Sequence, residues 1–179
     1  MRVSVVDWLV QIQHYLSLSD VTLHLAVANF DRVIDNIDFE QDEVQLLGLA
    51  CLQLAAKVEE DCAPSQSLLL PLTGGVYSKE DLARMEVEVL RALDWRLRKT
   101  TSAVFLHYYS EISGKGWKVV FKLAKAVLDL CLTQVSYHIV IVILKIDYRP
   151  GTEQSNQVIW HQQRCSQRVF FLEKVGRMS

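Results

Sequence analysis

The sequence predicts an all-α fold, and three observations carry that prediction. Glycine and proline together make up only 10 of 179 residues, below the usual ~12%, too few turn-formers for a barrel or sandwich of many short strands. Apolar residues recur at helical spacing through residues 1–132. One stretch, 44–58, is apolar nearly all round, as expected of a helix surrounded by others. With 50% apolar and 22% charged residues, the chain can form one globular domain, or two small helical ones, with a real core.

Residues 3–16 set Val6, Leu9, Ile12 (or Gln13) and Leu16 on one face and predict the first helix. Ser19 and Asp20 can cap a second helix, whose Leu23, Val27, Phe30 and Ile34 share a face. Five acids between Asp35 and Glu43 predict a solvated loop. The third helix, 44–58, carries Leu46, Leu47, Leu49, Ala50, Leu52, Leu54 and Ala55 and should be the central one. A short segment, 67–72, ends at Gly74-Gly75. Ser78 with Asp81 forms a start resembling a capping box, before a stripe of Leu82, Met85, Val89 and Leu93. Thr100, Thr101 and Ser102 can cap a helix over 103–112; 113–116 breaks the pattern, and 117–132 is helical again. From about Thr133 the period is lost. Residues 139–144 are almost all β-branched and favour a strand for which no clear partner exists, and 149–168 are Gln-rich and aperiodic.

Composition narrows the function classes. The longest branched-aliphatic run, 139–144, is far short of the ~20 residues of a membrane-spanning helix, and Asp7 and Gln11 interrupt any secretion-signal pattern. No membrane association is expected. The net charge of −2 conceals an asymmetry: residues 1–100 carry 9 basic and 16 acidic side chains, and residues 101–179 carry 10 and 5. An acidic first half is a poor phosphate binder, so no nucleic-acid partner is expected. Cys51, Cys62, Cys131 and Cys165 show no CxxC spacing. Cys51 and Cys131 lie in apolar helical runs, so the cysteines read as buried, reduced thiols of an intracellular protein. No GxSxG, HExxH or phosphate-loop pattern occurs, and the histidines at 14, 24, 107, 138 and 161 lack i,i+3 or i,i+4 pairing. No catalytic residue, metal or cofactor is expected, and the chain does not read as an enzyme.

The unusual residues are charges on apolar stripes. Arg2 lies one turn before Val6, Asp31 between Val27 and Ile34, Lys57 one turn after Leu54, and Glu86 between Leu82 and Val89. One such charge can sit at a stripe's edge and reach water. Four, two of each sign, point to mutual pairing, because an unpaired buried charge is costly. Trp8 serves either as core filler or as the anchor of an exposed apolar patch.

These charges sit in recognisable strings. The opening, Met1 to Val10 (MRVSVVDWLV), resembles the start of the cyclin box of A- and B-type cyclins. Thr22-Leu23-His24-Leu25-Ala26-Val27 with Asp31-Arg32 resembles its second helix. Val44 to Gly48 and Leu54 to Glu60 resemble the third, and Tyr77 to Glu80 with Arg84-Met85-Glu86 the approach to and body of the fifth. The family's five hallmark positions correspond to Arg2, Asp31, Leu46, Lys57 and Glu86. The resemblance, over residues 1 to about 112, implies a five-helix box that binds and activates a cyclin-dependent protein kinase in cell-cycle control. By that resemblance Lys57 and Glu86 grip the kinase, while Leu54, Val58, Val87, Leu90, Trp95 and Leu97 pack on its regulatory helix. It further implies an internal ion pair between Arg2 and Asp31. Met1, Val5, Trp8 and Gln45 match a patch that docks Arg-x-Leu motifs of substrates or inhibitors.

The chain departs from the pattern in places. Gln11 stands where some cyclins place an acid facing the docking motif's arginine, and Val58 replaces an aromatic. The expected organisation is a first box over 1–98, a partial second box over 99–132 and a divergent tail over 133–179. That is a truncated or alternatively ended member, lacking the family's extra N-terminal helix. Nuclear or cytoplasmic localisation, or both, is expected. The alternatives are a non-activating decoy or non-functional product, and an adaptor of the transcription-factor-IIB-like kind.

Overall fold

The computed structural model describes residues 1–36, 39–40, 43–112 and 117–133, with no side-chain detail for 117–119. Helix α1 spans Arg2–Leu16 and buries Val5, Val6, Leu9, Ile12 and Gln13. It ends because Ser17 turns left-handed (φ 52°), letting the Leu18 N–H return to the Gln13 carbonyl. The Gln13 amide donates to the Leu18 carbonyl, so this buried polar side chain is satisfied at the turn that places α2.

Helix α2, Asp20–Ile34, starts where the Ser19 hydroxyl accepts from the Val21 N–H at 3.2 Å, with Asp20 complementing the positive end of the helix dipole. The single apolar face expected for α2 is corrected: every residue from Thr22 to Phe30 is buried. The reason is its position, with α1 and α3 on some sides and α6 on another. The acid-rich stretch after it exposes Asp35 and Glu40, while residues 37–38 and 41–42 lie outside the described residues.

Helix α3, Val44–Glu59, is the central element and packs against α1, α2 and α5. At Gly48 α1 lies close against α3, since a Cβ there would lie 2.7 Å from Val5 Cγ1. Helix α4, Gln66–Leu69, is a single turn continued by a 3-10 turn over Leu70–Thr73, and Gly74 and Gly75, both at φ 74°, end it in the left-handed region. Helix α5, Lys79–Ala92, begins with both halves of a capping box, the Ser78 hydroxyl accepting from the Asp81 N–H and the Asp81 carboxylate from the Ser78 N–H. The hydrogen bond from the Ser78 side chain holds the Asp81 carboxyl below the usual carboxylate range. Helices α6, Ser102–Ile112, and α7, Trp117–Thr133, follow.

No strand occurs among the described residues, which are all-α as expected. One apolar core joins α1, α2, α3 and α5, and Leu132 of α7 enters it. The reading of the cysteines as buried needs correcting. Cys51 is buried, and burial, with the Asp31 charge adding, pushes its thiol far up. Cys131 is half-buried because it lies at the side of α7, and Cys62 is exposed in the turn after α3. No helix among the described residues is long and apolar enough to cross a membrane. The break at 113–116, the β-prone run at 139–144, the Gln-rich stretch and the tail expected over 133–179 lie outside the described residues, apart from Thr133, which closes α7.

Candidate functional site

The last turn of α3 and the middle of α5 bring Lys57 and Glu86 together. Lys57 Nζ donates to Glu86 Oε1 at 2.6 Å, with 44% of the lysine side chain exposed and 12% of the glutamate's. Glu86 occupies a buried position of α5 beside Leu82, Met85 and Val89, so its carboxylate depends on the lysine as a partner. Val58 and Val87 are the sequence neighbours of the pair, and further apolar residues follow on α5 and the segment after it. Val87 is exposed, Val58, Leu90 and Leu97 are half-buried against the core, and Trp95 is 70% exposed. Leu54 departs from this group: it is buried as part of the core, one turn before the exposed end of α3 at Lys57.

The segment carrying Trp95 is held in an unfavourable backbone. Asp94 (φ 50°) and Trp95 (φ 58°) are successive left-handed residues with side chains, a conformation that costs about 1–2 kcal/mol per residue. One local hydrogen bond and three to distant elements hold it. The Trp95 N–H reaches the Leu90 carbonyl at 2.9 Å. The Asn29 amide donates to the Leu97 carbonyl at 3.2 Å, Arg32 to Arg96 at 2.9 Å and Arg98 to Val58 at 3.2 Å. Asn29 is fully buried in α2 and was not singled out in the sequence. Its signal there is an amide inside an apolar stretch, a group that must find a partner when buried.

At the other end of the box, Arg2 grips Asp31 with two parallel hydrogen bonds, Nε to Oδ1 at 2.6 Å and Nη2 to Oδ2 at 2.9 Å. About a fifth of each side chain is exposed. This ties the first turn of α1 to α2. Met1 beside it is exposed, Trp8 and Gln45 are half-buried, and Val5 is buried over Gly48. Val5 therefore lines the floor of any surface here rather than standing proud of it.

Two further polar groups make contacts that the sequence did not indicate. Glu60, just past α3, accepts from the Ser19 N–H at 2.7 Å and the Thr22 hydroxyl at 2.5 Å, placing a carboxylate at the N-terminus of α2. Lys125 of α7 lies 2.5 Å from Asp20 and 3.3 Å from Asp129, whose other oxygen is 4.0 Å from His24 Nε2. Burial works to lower the Lys125 ammonium, but the hydrogen bond to Asp20 and the charges of Asp129 and Asp20 outweigh it and hold Lys125 above its usual range. Burial likewise works to raise the Asp129 carboxyl, and His24 and Lys125 outweigh it and hold Asp129 low. The described residues gather no group of three or more His, Cys, Asp or Glu suited to a metal.

Residues 1–98 match the family model of the cyclin N-terminal domain. G2/mitotic-specific cyclin-2 of Antirrhinum majus is 40% identical over 106 residues, covering 59% of this chain and 24% of that protein. Cyclin-A2-2 of Arabidopsis thaliana is 31% identical over 141 residues, covering 76% and 32%, and Cyclin-A1-2 of the same plant is 35% identical over 136 residues, covering 76% and 30%. The chain thus spans about a quarter to a third of the length of these relatives. A viral cyclin from herpesvirus saimiri has the same fold, with a TM-score of 0.68 at 20% identity over 75% of this chain and 60% of that one. With the family model covering more than half of its residues, this chain belongs to the cyclin family.

Proposed function

We propose that the chain is the regulatory subunit of a cyclin-dependent protein kinase, which it binds through the α3–α5 face. The observation that carries this is the Lys57–Glu86 pair. It is a part-buried charged pair, and the exposed Val87 beside Glu86 and Trp95 after α5 would complete an apolar docking surface with it. Half-buried Val58, Leu90 and Leu97 give that surface a packed base, and Leu54 supports it from within. Such a surface suits a partner helix that buries its own apolar side chains and meets the charges at the rim. Seating the kinase's regulatory helix there would complete the kinase's own Lys–Glu ion pair and order its activation loop. The chain itself would supply no catalytic group. Met1, Trp8 and Gln45, over Val5, would dock Arg-x-Leu segments of substrates or inhibitors, and the complex would act in the nucleus, the cytoplasm or both.

The test is recovery of kinase with the purified chain, followed by a histone kinase assay. Truncating one side of a desolvated charged contact costs about 2–5 kcal/mol, so Glu86→Ala should abolish kinase recovery while the helical circular dichroism persists. Trp95→Gly relieves a left-handed position and removes the exposed ring, so it should raise the melting temperature and weaken kinase binding. Equal kinase recovery by Glu86→Ala and the parent overturns the proposal. Kinase recovered without histone phosphorylation replaces activation with a decoy role.

A further inference from the structure

Helix α7 lies beyond the 98 residues matched by the family model, yet it is bound to the box at three levels of one face. In its middle, Lys125 reaches Asp20, the first residue of α2, and Asp20 also accepts from the Gln13 amide of α1 at 3.5 Å. One turn on, Asp129 faces His24 of α2. At its end Leu132 enters the core, and its carbonyl accepts a hydrogen bond from Arg2 Nη1 at 3.0 Å. Leu128, between these levels, is buried. The spacing of 125, 128, 129 and 132 is that of one helical stripe.

The Arg2 bond matters most for function. Arg2 opens α1, the helix that carries Met1, Val5 and Trp8. Its guanidinium spends two donors on Asp31 and one on the last turn of α7, whose carbonyl end favours a cation. We infer that α7 is a strut for the first turn of α1, latched by Lys125–Asp20 and Arg2–Leu132, and that it thereby regulates peptide docking on the Met1, Val5, Trp8 and Gln45 patch. The inference rests on the docking role proposed above. Releasing Lys125 frees the middle of α7 from α2 and lets the Leu132 carbonyl leave Arg2. The start of α1 then loses its bond to α7, while the α3–α5 face keeps its contacts.

Hydrogen exchange on the full chain, with affinity for a synthetic Arg-x-Leu peptide measured in parallel, tests this. In Lys125→Met the amides of residues 5–9 should exchange about fivefold faster, the low end of coupling between sites. Amides of α3 and α5 should be unchanged, peptide affinity should fall by a similar factor, and Lys125→Arg should restore both. Unchanged exchange in α1 overturns the inference, and so does equal acceleration in α1, α3 and α5, which marks a general loss of stability. If the parent binds no peptide while α1 still responds selectively, the strut stands and the docking role fails.

Discussion

The junction of α2 with α3 and the junction of α7 with the box are held by different forces. Around α3 the contact is dry: Phe30, Leu47, Leu49, Ala50 and Leu52 are completely buried, and α1 approaches so closely that Gly48 leaves no room for a side chain. At α7 the fully buried apolar side chains are Leu128 and Leu132, and charged groups join them: Lys125, Asp129, Asp20, His24 and the Arg2 guanidinium. Burial of apolar surface is non-directional and largely indifferent to salt and pH, whereas ion pairs depend on both. The first junction therefore makes the fold, and the second can be adjusted without unmaking it.

The largest expected effect tests that contrast directly. Phe30→Ala should cost about 3–5 kcal/mol and Leu128→Ala about 2 kcal/mol, the low end for a buried leucine, because Leu128 lies outside the main core cluster. Chemical denaturation followed by circular dichroism measures both. Equal losses would show that α7 is as much a part of the core as α2.

A smaller effect is expected at Arg2 and Asp31, which anchor α1 to α2 by charge at the edge of the dry region. Each side chain is about a fifth exposed, so Asp31→Ala should cost about 2 kcal/mol, between the values for surface and fully buried pairs. The double variant with Arg2→Ala should lose less than the sum of the singles, and strict additivity would show that the two side chains do not couple.

The smallest effect separates the junctions by pH. The Asp129 carboxyl is held low in the fold, so its contribution is present above its unfolded value of about 3.9 and is lost as pH falls through the lower folded value. The Lys125 ammonium is held high, so its contribution is present below about 10.4 and is lost as pH rises through the higher folded value. Between these limits the latch should add at most about 1 kcal/mol, given its solvent exposure. His24 beside Asp129 and His107 beside Asp20 belong to the same cluster, so the diagnostic ranges are the two extremes. The difference in stability between the parent and Lys125→Met should shrink below about pH 4 and above about pH 10, and a difference unchanged at both extremes would assign the latch to other groups.

Much of the architecture was legible in residues alone. The period of apolar side chains located α1, α2, α3, α5, α6 and α7, and Ser19 and Ser78 marked two of the starts. The all-round apolar stretch identified α3 as central, and charges of both signs on apolar stripes anticipated that such charges pair, while the Arg2–Asp31 partnership came from the family resemblance and the Lys57–Glu86 contact only from the structure. Less legible was the extent of burial in α2, since Thr22, His24 and Asn29 look like a polar face until their neighbours are known.

Helix positions, their caps and the need for certain charges to pair follow from the sequence, because each depends on spacing within a turn or two or on the cost of burying a charge. Only the tertiary structure decides that Asn29 holds the Leu97 carbonyl, that Val5 rests on Gly48 and that Lys125 meets Asp20 across 105 residues. The same holds for the left-handed pair Asp94–Trp95, whose strain is sustained by donors on α2 and beyond. No local period encodes these contacts, because each forms only after the core has brought separate helices to one place.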